Sequence, residues 1–316
     1  MKSSISIPTI VGIIIVILFD SCNYNETNKE CNLTEMDLKA KVKSLKETSY
    51  NATEKFGEIV KGDKNNQEEY TFNSDGNKTL SIRYGSDGKL SHKRTYVYGN
   101  DGNIIEENFF EKEGTLGNKR IYKYDQNGNR IEENIYSNDG NLSEKTTYTY
   151  DGNGNELEYR QLTAEGKLRS RYTSKYDENN RIIEGNGYRS SLDILRSKAT
   201  YKYDENGNQI EVSHYKTDGN RATIKLDYKI NDKYDKAGSN IENKWTKSDE
   251  SLWFRNTYKY EQEGNIMLRN NYKSDGSLKW STLFKYKFDN KRNWIERTYY
   301  KDGILKSINE RKIEYY

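Results

Sequence analysis

Aromatic residues separated by one position recur along the chain, and each pair precedes a polar turn sequence. The pairs are Tyr70/Phe72, Tyr96/Tyr98, Tyr122/Tyr124, Tyr148/Tyr150, Tyr201/Tyr203, Tyr258/Tyr260 and Tyr286/Phe288, and two degenerate copies end at Tyr176 and Tyr234. From residue 72 to residue 176 the second aromatics lie 26 residues apart, and afterwards they lie 26 to 31 apart. A period held this closely predicts a repeat architecture.

Each repeat contains two turn signals, about 13 residues apart. In the unit from Tyr122 to Thr147, the sequences Asp125–Gly128 and Ser137–Gly140 place a glycine after a type I turn, where φ is positive. This arrangement is typical of a three-residue hairpin loop with a bulge. The segments between the turns are rich in Tyr, Ile and Thr, which favour strands. The sequence therefore predicts an all-β fold, a repetitive antiparallel meander of about nine two-stranded repeats and roughly 18 strands.

The shape of the sheet follows from its length. A twisted open sheet rarely exceeds about 10 strands without curling, so we expect a curled or superhelical single sheet whose Tyr-rich face is concave. The alternation of side chains places Tyr122 and Tyr136 on that face and Ile135 on the other. The same register places Glu133 opposite Lys145, as a cross-strand ion pair.

The N-terminus carries a short apolar segment. Lys2 precedes an apolar run from Ile10 to Phe19, which is shorter than the about 20 residues that span a bilayer core as a helix. Such a run is typical of the apolar part of an export signal. It leads into Ser21-Cys22, which resembles the lipobox of bacterial lipoproteins, and the resemblance implies that Cys22 is lipidated and begins the mature chain. An uncleaved signal anchor is the alternative.

These features predict four segments. Residues 1–21 form a lipoprotein signal peptide, residues 22–37 a polar tether, residues 38–65 a capping half-repeat and residues 66–316 the β-repeat domain. Residues 38–48 are compatible with a short helix or with a strand of the half-repeat, and we favour the strand. Lipidation of Cys22 leaves a single thiol, so we expect no intramolecular disulfide.

Composition limits the function further. The hydrophobic fraction is 32%, low for a compact protein of 316 residues, and 28 residues are Tyr, so we expect no thick core. Lys and Arg total 52 against 49 Asp and Glu, a net charge of +3. Such a balance predicts no nucleic-acid partner and no electrostatic attraction to a membrane surface.

Candidate chemistry is sparse. Residues 151–155 and 204–208 imitate the opening of a calcium-binding loop, but Leu162 and Tyr215 stand where the bidentate Glu is required, so we interpret both as turns. His92 and His214 lie far apart, and we predict that both are ordinary strand residues. The sequence has no motif of a serine hydrolase, a zinc protease or a phosphate loop. We therefore predict no enzyme activity, no catalytic residue, no metal and no cofactor.

Tryptophan offers the one binding candidate. All four Trp lie in the last quarter of the chain, and the predicted register places Trp280 and Trp294 on the Tyr-rich face. There they are candidates for stacking on sugar rings or for anchoring a protein. The alternative is that these large side chains seal the terminal repeats.

The repeat also points to a family. The pattern Y-x-Y-D-x-x-G-N-x-I, at residues 122–131 and 201–210, resembles the YD repeats of bacterial Rhs-type proteins, and residues 286–316 are similar to the end of YD-repeat lipoproteins from Bacteroidota. The resemblance implies an all-β surface exposed at the cell envelope, with the lipid in the outer membrane, and sometimes a carbohydrate ligand. Our first hypothesis is a non-catalytic binding or scaffolding lipoprotein with a carbohydrate or protein partner. The alternatives are a glycan-acting enzyme with paired carboxylates and an immunity or antitoxin-like protein.

Overall fold

The computed structural model describes residues 33, 36, 38–189, 194–217 and 223–316. The signal peptide, Cys22 and most of the tether lie outside the described residues, so their assignment stays a prediction. Leu33 and Met36, at the end of the predicted tether, pack against buried residues of the fold. Within the described ranges, no helix has both the length and the apolar character needed to cross a membrane.

Every element that the structure describes between residues 38 and 316 is a β-strand, which confirms the all-β prediction. The strands are β1 (Val42–Lys55), β2 (Glu58–Phe72), β3 (Lys78–Tyr84), β4 (Leu90–Tyr98), β5 (Ile104–Phe110), β6 (Leu116–Tyr124), β7 (Arg130–Ser137), β8 (Leu142–Tyr150), β9 (Glu156–Thr163), β10 (Leu168–Tyr176), β11 (Ile182–Arg189), β12 (Ile194–Tyr203), β13 (Gln209–Thr217), β14 (Ile224–Tyr234), β15 (Asn240–Lys247), β16 (Leu252–Tyr260), β17 (Ile266–Tyr272), β18 (Leu278–Phe288), β19 (Trp294–Lys301) and β20 (Ile304–Tyr315).

The sheet closes on itself. Each strand pairs antiparallel with the next along the chain, and β1 pairs antiparallel with both β2 and β20. The predicted open sheet is therefore wrong, because residues 38–65 do not cap an end but supply strands that join the first repeat to the last. The strand alternative for residues 38–48 is confirmed by β1. Closure leaves no free sheet edge along the paired length, which removes a site of aggregation.

Hydrogen bonds stabilise the junction of β1 and β20, which we call the seam. Asn293 is fully buried, and its side-chain amide donates to the carbonyl of Lys39 at 2.8 Å and to the hydroxyl of Tyr315 at 2.7 Å. The hydroxyl of Tyr316 donates to the carbonyl of Phe72, in β2, at 2.7 Å. These bonds link the end of the C-terminal strand to the segment before β1, through Asn293, and to the end of β2.

The hydrophobic core is thin and lies beside this seam. Two clusters hold eight of the twelve buried hydrophobic residues among those described: Leu38, Val42, Leu45 and Phe72 in one, and Ala52, Tyr300, Leu305 and Ile308 in the other. The low hydrophobic fraction predicted this absence of a thick core. Away from the seam the sheet is held by its backbone ladder and by side-chain networks.

The loops match the prediction in detail. The amide of Gly128 donates to the carbonyl of Asp125 at 3.1 Å, and the amide of Asp125 donates to the carbonyl of Asn129 at 2.9 Å. Gly128 has a φ of 84°, a conformation that glycine adopts without a steric penalty. The Asp125 carboxylate also accepts from the amides of Asn127 and Asn129, both at 2.9 Å. Acid and glycine together close a three-residue loop.

A second bulge, which sequence reasoning missed, shifts the register after each such loop. Lys123 pairs with Glu132 and Tyr124 with Arg130, so Ile131 is the extra residue of a β-bulge. Equivalent bulged positions on other strands expose Ile105, Leu157, Ile183, Ile241 and Met267. The shift alters which residues share a face.

The predicted faces are corrected accordingly. Tyr122 pairs with Glu133, and Ile135 lies on the same face, whereas Tyr136 lies on the opposite face with Leu142. We call the first the tyrosine face, defined by Tyr122, Tyr124, Tyr148 and Tyr150, and the other the lysine face, defined by Lys123 and Lys145. The predicted pairing of Glu133 with Lys145 is wrong. Lys145 forms its ion pair with Glu132 at 2.6 Å.

Candidate functional site

Four rings form a continuous stack across four neighbouring strands of the tyrosine face. They are His214 on β13, Tyr228 on β14, Trp245 on β15 and Phe254 on β16, and together they form what we call the aromatic ladder. The strand register places His214 opposite Tyr228 and Trp245 opposite Phe254. Tyr228 and Trp245 are diagonal neighbours, a spacing that large rings can bridge.

The ladder rings are nearly parallel. The ring centroids of His214 and Tyr228 lie 4.5 Å apart, those of Tyr228 and Trp245 5.1 Å apart, and those of Trp245 and Phe254 5.2 Å apart. The planes differ by 26°, 23° and 21° in the same order. The indole N–H of Trp245 donates to the Asn243 side chain, which fixes the orientation of the ring. Such a stack is rigid because each ring limits the rotation of the next.

Trp253 stands at the edge of this ladder and is 41% exposed. Its ring meets Trp245 edge to face, with centroids 6.5 Å apart, and meets Phe254 in the same way at 5.8 Å. Trp253 is the bulged residue between Leu252 and Phe254, so it is turned away from the regular alternation of β16. The site therefore offers an exposed indole held in place by two rings.

The titratable rings of the ladder are uncharged at neutral pH. Burial lowers the pKa of His214, and the nearby Asp227 opposes that shift only in part. Burial likewise raises the pKa of Tyr228. His214 is therefore neutral at neutral pH, and its predicted role as an ordinary strand residue fits its position as the end of the stack.

The structure separates the two tryptophans named from the sequence. Trp294 is only 3% exposed, with the guanidinium of Arg311 at 3.5 Å from its ring centroid and that of Arg297 at 4.7 Å. Both groups cover the ring, which fits the sealing alternative. Trp280 shares the guanidinium of Arg269 with Tyr258, so it lies on the tyrosine face as predicted. A binding role for Trp280 stays a prediction.

Sequence reasoning missed the ladder because its members come from four different strands and only the strand register aligns them. A signal was present in the sequence, since Tyr228 and Phe254 each lie six residues before the second aromatic of their repeat, Tyr234 and Tyr260. The adjacent pair Trp253-Phe254 was a second signal.

Carboxylates on the tyrosine face are engaged by arginine and tyrosine. Glu133 accepts from Arg120 at 3.1 Å and from the Tyr148 hydroxyl at 3.2 Å, and Glu107 accepts from the Tyr122 hydroxyl at 3.0 Å. Burial raises the pKa of Tyr122 and keeps it a hydrogen-bond donor. These carboxylates hold neighbouring strands in register.

Glu156 is the carboxyl group on this face whose pKa is raised by burial. The charge of Arg130 opposes this shift, and no second carboxylate among the residues that the structure describes contributes to it. A glycosidase requires two carboxyl groups on either side of one bond. Glu156 therefore gives the paired-carboxylate alternative no support.

The predicted turns at residues 151–155 and 204–208 are confirmed. The Asp151 carboxylate accepts from the amides of Asn153 and Asn155, both at 2.9 Å, and Asp204 has equivalent bonds. The acids thus serve the turn backbone. Among the described residues, no three His, Cys, Asp or Glu side chains are grouped as metal ligands would be.

Comparison with known proteins gives a partial family match. A family described as an uncharacterised protein matches residues 86–174. No curated protein matches the chain.

Several solved structures are similar to the chain. The Tc holotoxin pore of Photorhabdus luminescens is similar over 76% of this chain, with 9% identity and a TM-score of 0.33, and the chain covers 17% of that protein. A porin-like protein from Bacteroides uniformis shares 12% identity with a TM-score of 0.32, and the alignment covers 86% of this chain and 96% of that one. A porin-like protein from Bacteroides vulgatus shares 11% identity with a TM-score of 0.24, over 87% of this chain and 98% of that one. TM-scores this low support no functional inference.

Proposed function

We propose that the chain is a non-catalytic YD-repeat lipoprotein of the bacterial cell envelope, and that its tyrosine face binds a carbohydrate. In this account Cys22 carries the lipid and holds the protein at the outer membrane. The aromatic ladder and Trp253 form the surface that contacts the ligand.

The exposed indole of Trp253 is the observation that carries the proposal. A sugar ring stacks on an aromatic face through its axial C–H groups, and this contact needs a flat, accessible and immobile ring. Trp253 meets these conditions because Trp245 and Phe254 hold it from one side and leave it 41% exposed. The extended closed sheet offers further aromatic positions, so we expect weak affinity per sugar that is distributed along an oligosaccharide.

A glycan array on the purified protein tests this function, with Trp253→Ala beside it. We expect binding to a set of neutral glycans that falls at least fivefold in the variant, because the truncated side chain removes the stacking surface. The fold is expected to persist, since Trp253 is a partly exposed side chain at a bulge.

Trp294→Ala is the matched control. Truncation of a buried Trp costs about 3–5 kcal/mol, so this variant is expected to unfold earlier and, below its melting temperature, to bind glycans like the unmodified protein. Binding that is unchanged in Trp253→Ala, or absent altogether, would contradict the carbohydrate proposal and would favour a protein partner. Turnover of a bound glycan would favour the enzyme alternative.

The anchor is tested separately. Cys22→Ser is expected to abolish incorporation of labelled palmitate and retention in the membrane fraction, because the proposed acyl acceptor is removed. Cys31→Ser is the control and is expected to change neither. Continued labelling of the Cys22→Ser protein would contradict the lipoprotein assignment without bearing on the ligand.

A further inference from the structure

A concave surface lies on strands β9 to β12, none of which carries a ring of the aromatic ladder. It encloses about 530 Å³ and is lined by three tyrosines, four arginines, two serines and one glycine. Volumes of this size accommodate one or two sugar units. Its lining contains no Asp and no Glu.

Glycine creates the concavity. Gly185 and Gly187 on β11 occupy the positions that Glu133 and Ile135 hold on β7, so two side chains of the regular repeat are missing. A Cβ on Gly185 would lie 1.7 Å from the hydroxyl of Tyr172, which shows that the phenol lies directly over the backbone.

Gly187 shows the same close packing. A Cβ added there would lie 2.6 Å from the hydroxyl of Ser197, on the neighbouring strand β12. Gly185 therefore makes room for the Tyr172 phenol, and Gly187 leaves the sheet backbone as a flat floor beside it.

The aromatic part of this surface is preorganised. The rings of Tyr159 and Tyr172 are stacked with centroids 5.6 Å apart and planes 15° apart. Burial raises the pKa of both hydroxyl groups, so they remain neutral donors. Flat aromatic surface beside a flat backbone floor suits a pyranose ring.

The arginines come from three places around that floor. Arg189 alternates with Gly187 along β11 and therefore lies on the same face. Arg169 and Arg196 are the bulged residues of the flanking strands β10 and β12. Register and bulges thus place cations on both sides of the glycine floor.

Carboxylates neutralise this group only in part. Arg169 pairs with Glu144 at 2.8 Å, and the fourth lining arginine, Arg171, pairs with Glu158 at 3.0 Å. Residues 190–193, outside the described residues, include one acid, Asp193. Even with that residue counted, guanidinium groups outnumber carboxylates here.

We propose that this surface is a binding site for an acidic saccharide, in which guanidinium groups bind the carboxylate or sulfate and the Tyr172 side of the floor contacts the sugar ring. Guanidinium donors match the planar, two-oxygen geometry of such anions. A peptide acid could satisfy the charge but makes no use of the flat floor. The site is independent of the aromatic ladder, so either proposal can fail without the other.

Titration of the purified protein with an oligogalacturonate, and with a neutral galacto-oligosaccharide of equal length, tests the site. We expect the oligogalacturonate to bind, and its affinity to fall at least tenfold in Arg189→Gln/Arg196→Gln. Both side chains are exposed, so the variant is expected to fold. Higher salt is expected to weaken binding, because ion pairs with exposed arginine are screened.

Two controls make the result specific. Lys89→Gln/Lys112→Gln removes the same charge from exposed turn residues and is expected to leave affinity within twofold. The neutral galacto-oligosaccharide is the second control and is expected to bind at least tenfold more weakly than the oligogalacturonate. The site is refuted if the oligogalacturonate does not bind, if the neutral oligosaccharide binds as tightly, or if the lysine variant loses as much affinity as the arginine variant.

Discussion

The hydroxyl of Tyr124 donates a hydrogen bond of 2.8 Å to the backbone carbonyl of Ile104, on the neighbouring strand. Ile104 immediately precedes Ile105, the extra residue of a bulge between β4 and β5. A bulge disrupts the regular backbone ladder, and the tyrosine supplies a donor at that point. This hydrogen bond requires a hydroxyl group, which explains why the second aromatic is Tyr in seven of the nine repeats.

The same contact recurs through the sheet. A Tyr hydroxyl near the end of one strand donates to the carbonyl of the first residue of the preceding strand, at 2.6 to 2.9 Å, in these pairs: Tyr98 to Lys78, Tyr150 to Arg130, Tyr176 to Glu156, Tyr203 to Ile182, Tyr234 to Gln209, Tyr260 to Asn240 and Tyr286 to Ile266. In each of these pairs the tyrosine therefore binds the preceding strand at the residue just before its bulge.

Replacement of Tyr124 by Phe is expected to reduce the free energy of unfolding by about 0.5–1.5 kcal/mol. The ring and its packing remain, so the loss reports the hydrogen bond to Ile104. Chemical denaturation followed by circular dichroism measures it.

Tyr136→Phe serves as the control, because Tyr136 lies on the lysine face and pairs with Leu142 near the turn. We expect a change within about 0.5 kcal/mol there, as for most surface substitutions. Equal effects at the two positions would show that the hydroxyl of Tyr124 has no special role.

Glu132 is expected to make the protein sensitive to acid. It accepts hydrogen bonds from Lys123 and Lys145, which lower its pKa to about 2. Because the folded-state pKa lies below the ordinary value, the stabilisation is present above about pH 4.5 and is lost as the pH falls towards 2. Glu132→Gln should therefore lower the melting temperature at pH 7 and have little effect at pH 2.

Thermal melts of both proteins between pH 2 and pH 7 measure this difference. Glu184, whose pKa is also lowered to about 2 by an Asn and two Lys, provides an independent copy of the arrangement. A melting difference that is constant across this pH range would contradict the ionic explanation.

The sequence predicts those features of the fold that are fixed by residues close together in the chain. The loop around Gly128 is local, so the turn residues alone predict it, as does the strand character of the segments between turns. The bulge at Ile131 is set by contacts with the neighbouring strand, and the sequence of one hairpin does not reveal it. That single residue decides whether Tyr136 joins the tyrosine face.

Closure of the sheet and formation of the aromatic ladder depend on contacts between residues that are still farther apart in the sequence. β1 and β20 are separated by most of the chain, and pairing between them depends on the total twist accumulated over all strands rather than on any motif. The ladder likewise depends on the register of four strands. Composition could indicate Trp as a binding residue, but it could not distinguish the exposed Trp253 from the buried Trp294.

Removal of one whole repeat, residues 122–147, is expected to leave a folded protein. The new junction joins the start of β6 to the end of β8, and an even number of strands keeps the first and last strands antiparallel, so a smaller ring can close. Removal of residues 122–134 leaves an odd number and makes those two strands parallel. We expect that variant to lose closure and to melt at a lower temperature.

Size-exclusion chromatography and thermal melts distinguish the two deletions. Repeat proteins tolerate loss of a unit when contacts are mainly between neighbours. Equal destabilisation by the two deletions would argue against a modular closed sheet.

The pairing of β1 with β20 is the central structural claim, and a designed disulfide tests it most directly. Ser49 lies opposite Asn309, with the Ser49 hydroxyl 3.5 Å from the Asn309 side-chain oxygen. In protein with Cys22 and Cys31 replaced by Ser, the variant Ser49→Cys/Asn309→Cys is expected to form an intramolecular disulfide on mild oxidation, detected by mass spectrometry. An open sheet of 20 strands would hold these residues roughly 90 Å apart, and a disulfide requires Cα atoms within about 7 Å. Complete cross-linking of the monomer is the result that closure predicts, and free thiols at both positions in the folded monomer would contradict it.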